Sequence, residues 1–503
     1  MSRLWTDEAL RGDRAAVDST LSRLVISGFR IFASNEKLLF FLFVLTLPLA
    51  NPWVRGDGVG YYAYLRSALI DHDLRFENDY LAANKSFVIS HVDAEGRILP
   101  RMYTKTGYVE NHFTVGPAIL WAPVMLVVHE SVLLANHFGT NVAADGYSRP
   151  YLLAMALTTA CYGFLSLCLA FRIARKYFDG HWSFLATVAI WMASSLPVYM
   201  YFNPSWSHAF SAFTVALFLW YWERTKLRRT SGQWAILGLL AGLMGNVYYP
   251  NVILLIFPAL EILNFGGATR RESVRLIVPI QKLALNCGVF VVLFFASLFP
   301  TFITRHIIYG SPFETGYPAI WTWNWTSPVL LKVLFSSDHG MFSWTPVLIF
   351  AVVGLPFLIK RDALLGTGSL LTFLAFYYLI ASYPDWDGIS SFGNRFFVSL
   401  TPIFILGLAA LLSSFSSWLG KPARAVAITC PLLALLIAWN VGLIFQWGIH
   451  MVPARGGFSW SKMAHNQFVL VPSELTHFAG AYFLHRKEMM WQIEQEDIEE
   501  QKR

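Results

Sequence analysis

The sequence predicts an all-α polytopic membrane protein of about 11 transmembrane helices with a large first outer loop. Three observations carry that prediction. The 503 residues are 55% hydrophobic and 16% aromatic but only 14% charged, too apolar and too poor in charge for a soluble domain of this length. Apolar runs of about 16–24 residues recur along the chain. Lysine and arginine fall mostly between those runs, so the net charge of +7 reads as a set of topology signals and not as a nucleic-acid surface. Cys161, Cys168, Cys287 and Cys430 all sit inside apolar runs, without metal-type spacing.

Residues 1–37, with Arg3, Arg11, Arg14, Arg23, Arg30 and Lys37, read as a cytoplasmic amphipathic segment. No short apolar core with a cleavage site precedes residue 38, so 38–54 reads as an uncleaved first span. Further spans are expected near 150–171, 182–202, 207–222, 233–248, 250–264, 283–304, 341–359, 363–382, 393–416 and 425–447. The segment 113–134 is also long enough to cross. Counting it as a crossing, however, turns Arg172/Arg175/Lys176, Arg224/Lys226/Arg228/Arg229, Arg270/Arg271/Arg275 and Lys360/Arg361 outward, against the positive-inside rule. Its Gly116-Pro117 and Ala122-Pro123 pairs are expected to break a helix. It is therefore expected to be an interfacial or re-entrant element, which makes 55–149 one outer loop of a membrane domain covering 38–447. Residues 448–503 form a C-terminal extension expected on the outer side; Glu474 and His477 disfavour a crossing near 466–484.

This topology gathers the polar motifs on the outer face. Gly56-Asp57-Gly58-Val59-Gly60 looks like a glycine-rich dinucleotide loop, but a membrane span precedes it where that fingerprint needs a βαβ unit. What remains is a polar turn or a catalytic carboxylate at Asp57, followed by Tyr61 and Tyr62. Glu110, Asn111 and His112 open the proline-containing segment, and irregular backbone at membrane depth must be buried in protein or line a cavity. Glu314, Asp385 and Asp387 are further cavity candidates on outer loops. Arg395 begins the span 393–416, either as a snorkelling interfacial arginine or as a phosphate clamp. Arg305, Lys332 and His339 are the other cationic candidates for a phosphate. Tyr317-Pro318-Ala319-Ile320-Trp321-Thr322-Trp323-Asn324-Trp325 reads as interfacial aromatic belt that is also compatible with sugar rings.

Asp57 at the start of the loop, the kinked segment from Gly116-Pro117 to Ala122-Pro123, and Arg149-Pro150 before the second span occur in a telling order. In arrangement they resemble the GT-C superfamily of polyprenyl-phosphate-sugar-dependent membrane glycosyltransferases, in particular the protein O-mannosyltransferases and the lipid A aminoarabinose transferases. The resemblance covers roughly the first 200 residues in arrangement and the remainder in hydropathy. It implies a GT-C-like fold with juxtamembrane helices in the first loop. It also implies inverting transfer of a sugar from a polyprenyl-phosphate donor to a hydroxyl on a glycan, lipid or protein, with Asp57 as general base. The site would face the periplasm or exterior from a cell (inner) membrane. Two departures stand out. Asp57-Gly58 occupies the place where mannosyltransferases carry adjacent acids, and no second diacidic motif is present unless Asp385 and Asp387 serve. The sequence thus establishes no cofactor with certainty and leaves a divalent metal open without supporting it. The competing class is a transporter or flippase of a polar lipid or small solute. Such proteins place ionisable groups near the midplane, often in two related halves, and the sequence shows neither. A non-enzymatic assembly protein would need no carboxylate in a cavity.

Overall fold

The computed structural model describes residues 35–268 and 280–501. Most of the expected N-terminal amphipathic segment, and Arg270, Arg271 and Arg275, lie outside them. Among the described residues the chain is helical without strands; the only β pairing is two isolated bridges, Val92↔Ile98 and Tyr103↔Val109, in the first loop. Local sequence sets several helix starts. Thr230 and Gln233 form a reciprocal capping box at the head of Ser231–Val247. Asp362 caps Ala363–Ser382 by accepting from the Leu365 amide at 2.9 Å.

Five helices are individually long and apolar enough to cross a bilayer: Gly116–His137, Arg149–Tyr177, Ala363–Ser382, Arg395–Leu419 and Pro422–Gly448. A bent pair, Gln281–Ser297 with Phe299–Tyr309, raises the number to six among the described residues, and the other expected spans are shorter or interrupted helices. Proline accounts for several of the interruptions. The 43° bend falls where Pro300 enters the first turn of the second helix. The expected span 182–202 ends as a helix at Ala193, before Pro197 and a single π turn, Val198–Phe202. The expected span 341–359 divides at Thr345-Pro346, and 250–264 begins as the 3-10 turn Tyr249–Leu255. Of 38–54, only residues 35–46 and the 3-10 turn Leu47–Leu49 are helical.

The segment 113–134 corrects a second expectation. Its prolines do not break it: Gly116–His137 is one helix of 22 residues. Pro117 occupies the first turn, where a missing N–H costs nothing, and Pro123 is carried inside the helix. The Trp121 indole donates to Thr159 Oγ1 at 3.0 Å, and His129 Nδ1 lies 2.8 Å from the Tyr151 hydroxyl. The helix therefore runs antiparallel along the first half of Arg149–Tyr177 and stops well short of that helix's basic end.

That basic end is one ion-pair cluster. Arg172 and Arg175 reach Glu36, Lys176 reaches Glu223, Lys226 reaches Asp362, and buried Arg229 pairs with buried Glu261. Roughly 43 Å away along Arg149–Tyr177, by helical rise, lies the end built from the first loop. A separate apolar core knits that loop to the bundle, with Tyr62, Phe76 and Trp121 packed against Tyr151, Phe210 and Val247. The C-terminal segment returns to this end. Tyr482 donates to the Leu49 carbonyl at 2.6 Å, and Arg486 to the Pro48 and Ala50 carbonyls at 2.8 Å each.

Within the bundle, Val347–Ile359 and Thr401–Leu419 meet through two glycines. A Cβ on Gly407 would sit 2.1 Å from the Ala351 carbonyl oxygen, and one on Gly354 1.8 Å from that of Gly407. Small residues allow such backbone approach where lipid supplies no hydrophobic drive between helices. Gly407→Val is expected to cost about 1–3 kcal/mol or more by overpacking and to lower the melting temperature in detergent. Gly448→Ala, with nothing within 4 Å of its Cβ position, should leave it unchanged.

Candidate active site

Asp57 is the first residue of the helix Asp57–Arg66, and Gly56 turns the chain into it with φ of 54°. The helix N-terminus carries unpaired N–H groups, so an acidic first residue is electrostatically matched there. The glycines around it are packing requirements. A Cβ on Gly58 would fall 1.9 Å from Ser205 Oγ, and one on Gly60 2.0 Å from the Phe113 ring. Asn111 fixes the same turn of helix by donating from Nδ2 to the Gly60 carbonyl at 2.9 Å.

Arg395 Nη1 lies 2.7 Å from Asp57 Oδ2. The guanidinium rests on the face of Trp206, 4.5 Å from the ring centre, and the Trp206 indole donates to the Arg55 carbonyl at 3.0 Å. Trp206 thus holds both the turn before Asp57 and the cation beside it. Arg395 is about nine-tenths buried, yet its Nε has no hydrogen-bond partner; neither does buried Ser205 Oγ. Donors left unpaired in a buried site are costly, and a bound anion would satisfy them.

Asp57, Glu110 and His112 line a cavity of about 360 Å³, together with Trp206, His91 and the C-terminal residues His450, Asp497 and Glu500. Burial lowers His112 to a pKa of about 4 against the opposing pull of Asp57, so its ring is neutral at pH 7. Burial also raises the Glu110 carboxyl above its ordinary value.

The other sequence candidates fall into different roles. Tyr61 is buried against Phe113, and Tyr62 donates to the Gly146 carbonyl at 2.5 Å; both support the helix from behind. Asn111 is fully buried as a brace. Arg305 is a correction: its guanidinium is committed to the carbonyls of Asn111, His112 and Phe113 and to the Tyr249 hydroxyl, so it holds the 111–113 segment and is not free for a phosphate. His339 is buried against Trp344, while Lys332 and Glu314 are exposed; none of the three lines the cavity. Asp385 and Asp387 do not line it either, and Asp387 accepts from the Ile389 amide at 3.1 Å. Among the described residues no three His, Cys, Asp or Glu side chains converge as a metal site.

Two groups of wall residues were missed from sequence. Trp206 lies in Asn203-Pro204-Ser205-Trp206-Ser207-His208, a polar interruption between two apolar runs whose brevity was its only signal. The C-terminal wall carries no local signal, because its contacts are about 400 residues away in the chain, as in Arg55 Nη2 to Asp497 Oδ2 at 2.6 Å.

The fold and this site define a class, the multi-pass helical membrane proteins whose first loop carries a carboxylate over the bundle. Comparison with known proteins narrows it. The dolichyl-phosphate-mannose-protein mannosyltransferase family model matches residues 149–298. The oligosaccharyltransferase of Archaeoglobus fulgidus, in a crystal structure with Zn and sulfate, superposes with a TM-score of 0.50 at 15% identity, over 84% of this chain and 53% of that one. Its apo form gives 0.47 at 15% identity over 87% and 54%, and its complex with an inhibitory peptide and a dolichol-phosphate 0.45 at 13% over 92% and 56%. The chain spans about half the length of that enzyme. No curated protein sequence matches the chain. The resemblance to GT-C membrane glycosyltransferases read from the first loop is therefore borne out by an independent part of the chain and by the fold.

The C-terminal wall carries a coupled cluster of titratable groups, His450 with Asp497 and Glu500. Burial alone would lower His450, but Asp497 and Glu500 raise it from 6.5 to about 9. His450 in turn holds Glu500 below its ordinary 4.5. A raised histidine contributes stability that is complete below pH 6.5 and lost as pH rises through about 9; a depressed glutamate contributes above pH 4.5 and loses it below. Protection factors of residues 486–501 against hydrogen exchange, corrected for the intrinsic rise of exchange with pH, are expected to be highest between pH 4.5 and 6.5 and to fall as pH rises from 6.5 to about 9, and His450→Gln should remove that fall.

Proposed function

We propose that the protein is a membrane glycosyltransferase that moves a sugar from a polyprenyl-phosphate donor to an acceptor hydroxyl, with inversion at the anomeric carbon. The observation that carries this reading is the Asp57–Arg395 pair at the cavity, with an unpartnered Arg395 Nε beside it. The family match and the fold support the same class of donor and reaction.

Asp57 is the general base. The acceptor hydroxyl oxygen attacks the anomeric carbon, its proton passes to Asp57, and the anomeric C–O bond breaks with its electron pair leaving on polyprenyl phosphate. A carboxylate is a weak base, so proton transfer accompanies bond formation. Arg395 meets the charge developing on the leaving phosphate, where a buried, pre-oriented guanidinium is most effective. Its resting partner, Asp57, holds it in place until donor binds. Neutral His112 and Glu110 line the same space and suit hydrogen bonds to sugar hydroxyls.

The sidedness follows from the distribution of charge. The basic loops cluster at the far end with Glu36, which the positive-inside rule places in the cytoplasm. Asp57, the first loop and the C-terminal segment then face the periplasm or exterior. Gly116–His137, confined to the Asp57 half of Arg149–Tyr177, serves as a juxtamembrane helix of the loop, in keeping with a 55–149 outer segment. A cytosolic nucleotide sugar does not reach such a site, whereas a lipid-linked sugar arrives within the membrane. A transporter would instead need a polar path at the midplane.

Asp57→Asn is expected to reduce transfer from a labelled polyprenyl-phosphate sugar by about 10²–10⁴-fold in protein that still folds, with a lowered melting temperature because Arg395 loses its partner. Turnover near that of the parent protein would remove Asp57 from the mechanism. Arg395→Ala should weaken donor use through both affinity and rate; unchanged values for both would rule out the phosphate clamp.

A further inference from the structure

The cavity is closed partly by the C-terminal segment, and nothing in the donor chemistry requires that segment. Donor arrives at Arg395 and Trp206, so the remaining wall is available to the acceptor. We propose that this wall, with the first loop, forms the acceptor site, and that the acceptor is a compact, uncharged, hydroxyl-rich head group such as a sugar. The inference rests on the glycosyl-transfer reading and deepens it.

Three observations lead there. The first is how firmly the wall is fastened. The helix Arg486–Gln501 is held at its start by Arg486 on the Pro48 and Ala50 carbonyls. In its middle, buried Glu494 accepts from Asn84 Nδ2 at 3.1 Å on both oxygens and from the Ser86 amide. Near its end Asp497 pairs with Arg55 and His450, and Glu500 accepts from the Ala454 amide at 3.1 Å. These contacts tie it to the residues just before Asp57 and to the loop helix Lys85–His91. The wall is therefore part of the site's geometry and not a loose tail.

The second is charge. The carboxylates on the cavity, Asp57, Glu110, Asp497 and Glu500, are matched by Arg55, Arg455, protonated His450 and, beside the cavity, Arg395. A charged acceptor would find no net counter-charge, whereas hydroxyls, which donate and accept, meet partners of both kinds. The third is size. About 360 Å³ lies near the bottom of the roughly 300–1,000 Å³ usual for small-molecule sites, and this space must also hold the donor's sugar. A space this small, shared with the donor's sugar, suits a compact head group better than an extended polypeptide.

Glu494 does not line the cavity; it is a positioning residue for the helix that does. The test uses the full-length protein in lipid nanodiscs with a labelled polyprenyl-phosphate sugar. Acceptor arms are a free oligosaccharide, the same oligosaccharide on a lipid, and a hydroxyl-containing peptide, with release of sugar to water measured in parallel. Label is expected on one or both sugar arms, which separates a water-borne from a membrane-borne head group, and not on the peptide. Glu494→Ala should raise the acceptor KM about tenfold while leaving hydrolysis of donor to water unchanged, and Glu494→Gln should restore part of the loss. Peptide labelled as well as sugar, or an unchanged acceptor KM in folded Glu494→Ala, overturns the proposal. Absence of any donor cleavage by the parent protein, to water included, overturns instead the glycosyl-transfer reading beneath it.

Discussion

The organisation of this end of the molecule depends on one ion pair, Asp57 with Arg395, held on the face of Trp206. Arg395, nine-tenths buried, could not sit there alone without cost, since a lone buried charge is strongly penalised. The pair draws together segments that are far apart in sequence: the turn after the first helix, the polar break at 203–207 and the start of Arg395–Leu419. The glycines at 56, 58 and 60 are consequences of the same closeness, because side chains there would strike Trp206, Ser205 and Phe113. What reads in the sequence as a phosphate-binding loop is a packing solution around a carboxylate.

The remainder of the chain can be understood as keeping that pair at one end of the bundle. Basic side chains are gathered and paired at the other end, away from the site. The residues that follow Asp57 share an apolar core with Tyr151, Phe210 and Val247 of the bundle, which holds them against the helices. Arg305 illustrates the division of labour. It is as cationic as Arg395, yet its donors go to three backbone carbonyls and a tyrosine, and its work is to hold the 111–113 segment of the cavity wall.

Much of this was legible in the sequence, for reasons that can be stated. Composition and hydropathy are averages over many residues, so the membrane class and the polar end are robust to local detail. Asp57 and Arg395 were legible because a charge at the rim of an apolar run has few other uses. Helix continuity was less so. Pro117 and Pro123 look alike in sequence as helix breakers, yet the first occupies a free position in the opening turn and the second is carried by packing; Pro197, Pro300 and Pro346 do interrupt their segments. The C-terminal wall was invisible because no pattern within 486–501 announces a partner at Arg55 or Ser86. Among the cations, Arg395, Arg305, Lys332 and His339 were indistinguishable until burial and partners separated them.

In the proposed mechanism Asp57 acts as a base in one displacement, without a covalent glycosyl-enzyme step. The most direct measurement is therefore the anomeric configuration of the sugar first transferred from an isotopically labelled polyprenyl-phosphate donor, followed by NMR before mutarotation. The account predicts configuration opposite to that of the donor. Retained configuration would contradict it, because retention requires a covalent intermediate that Asp57, acting as a base, does not form.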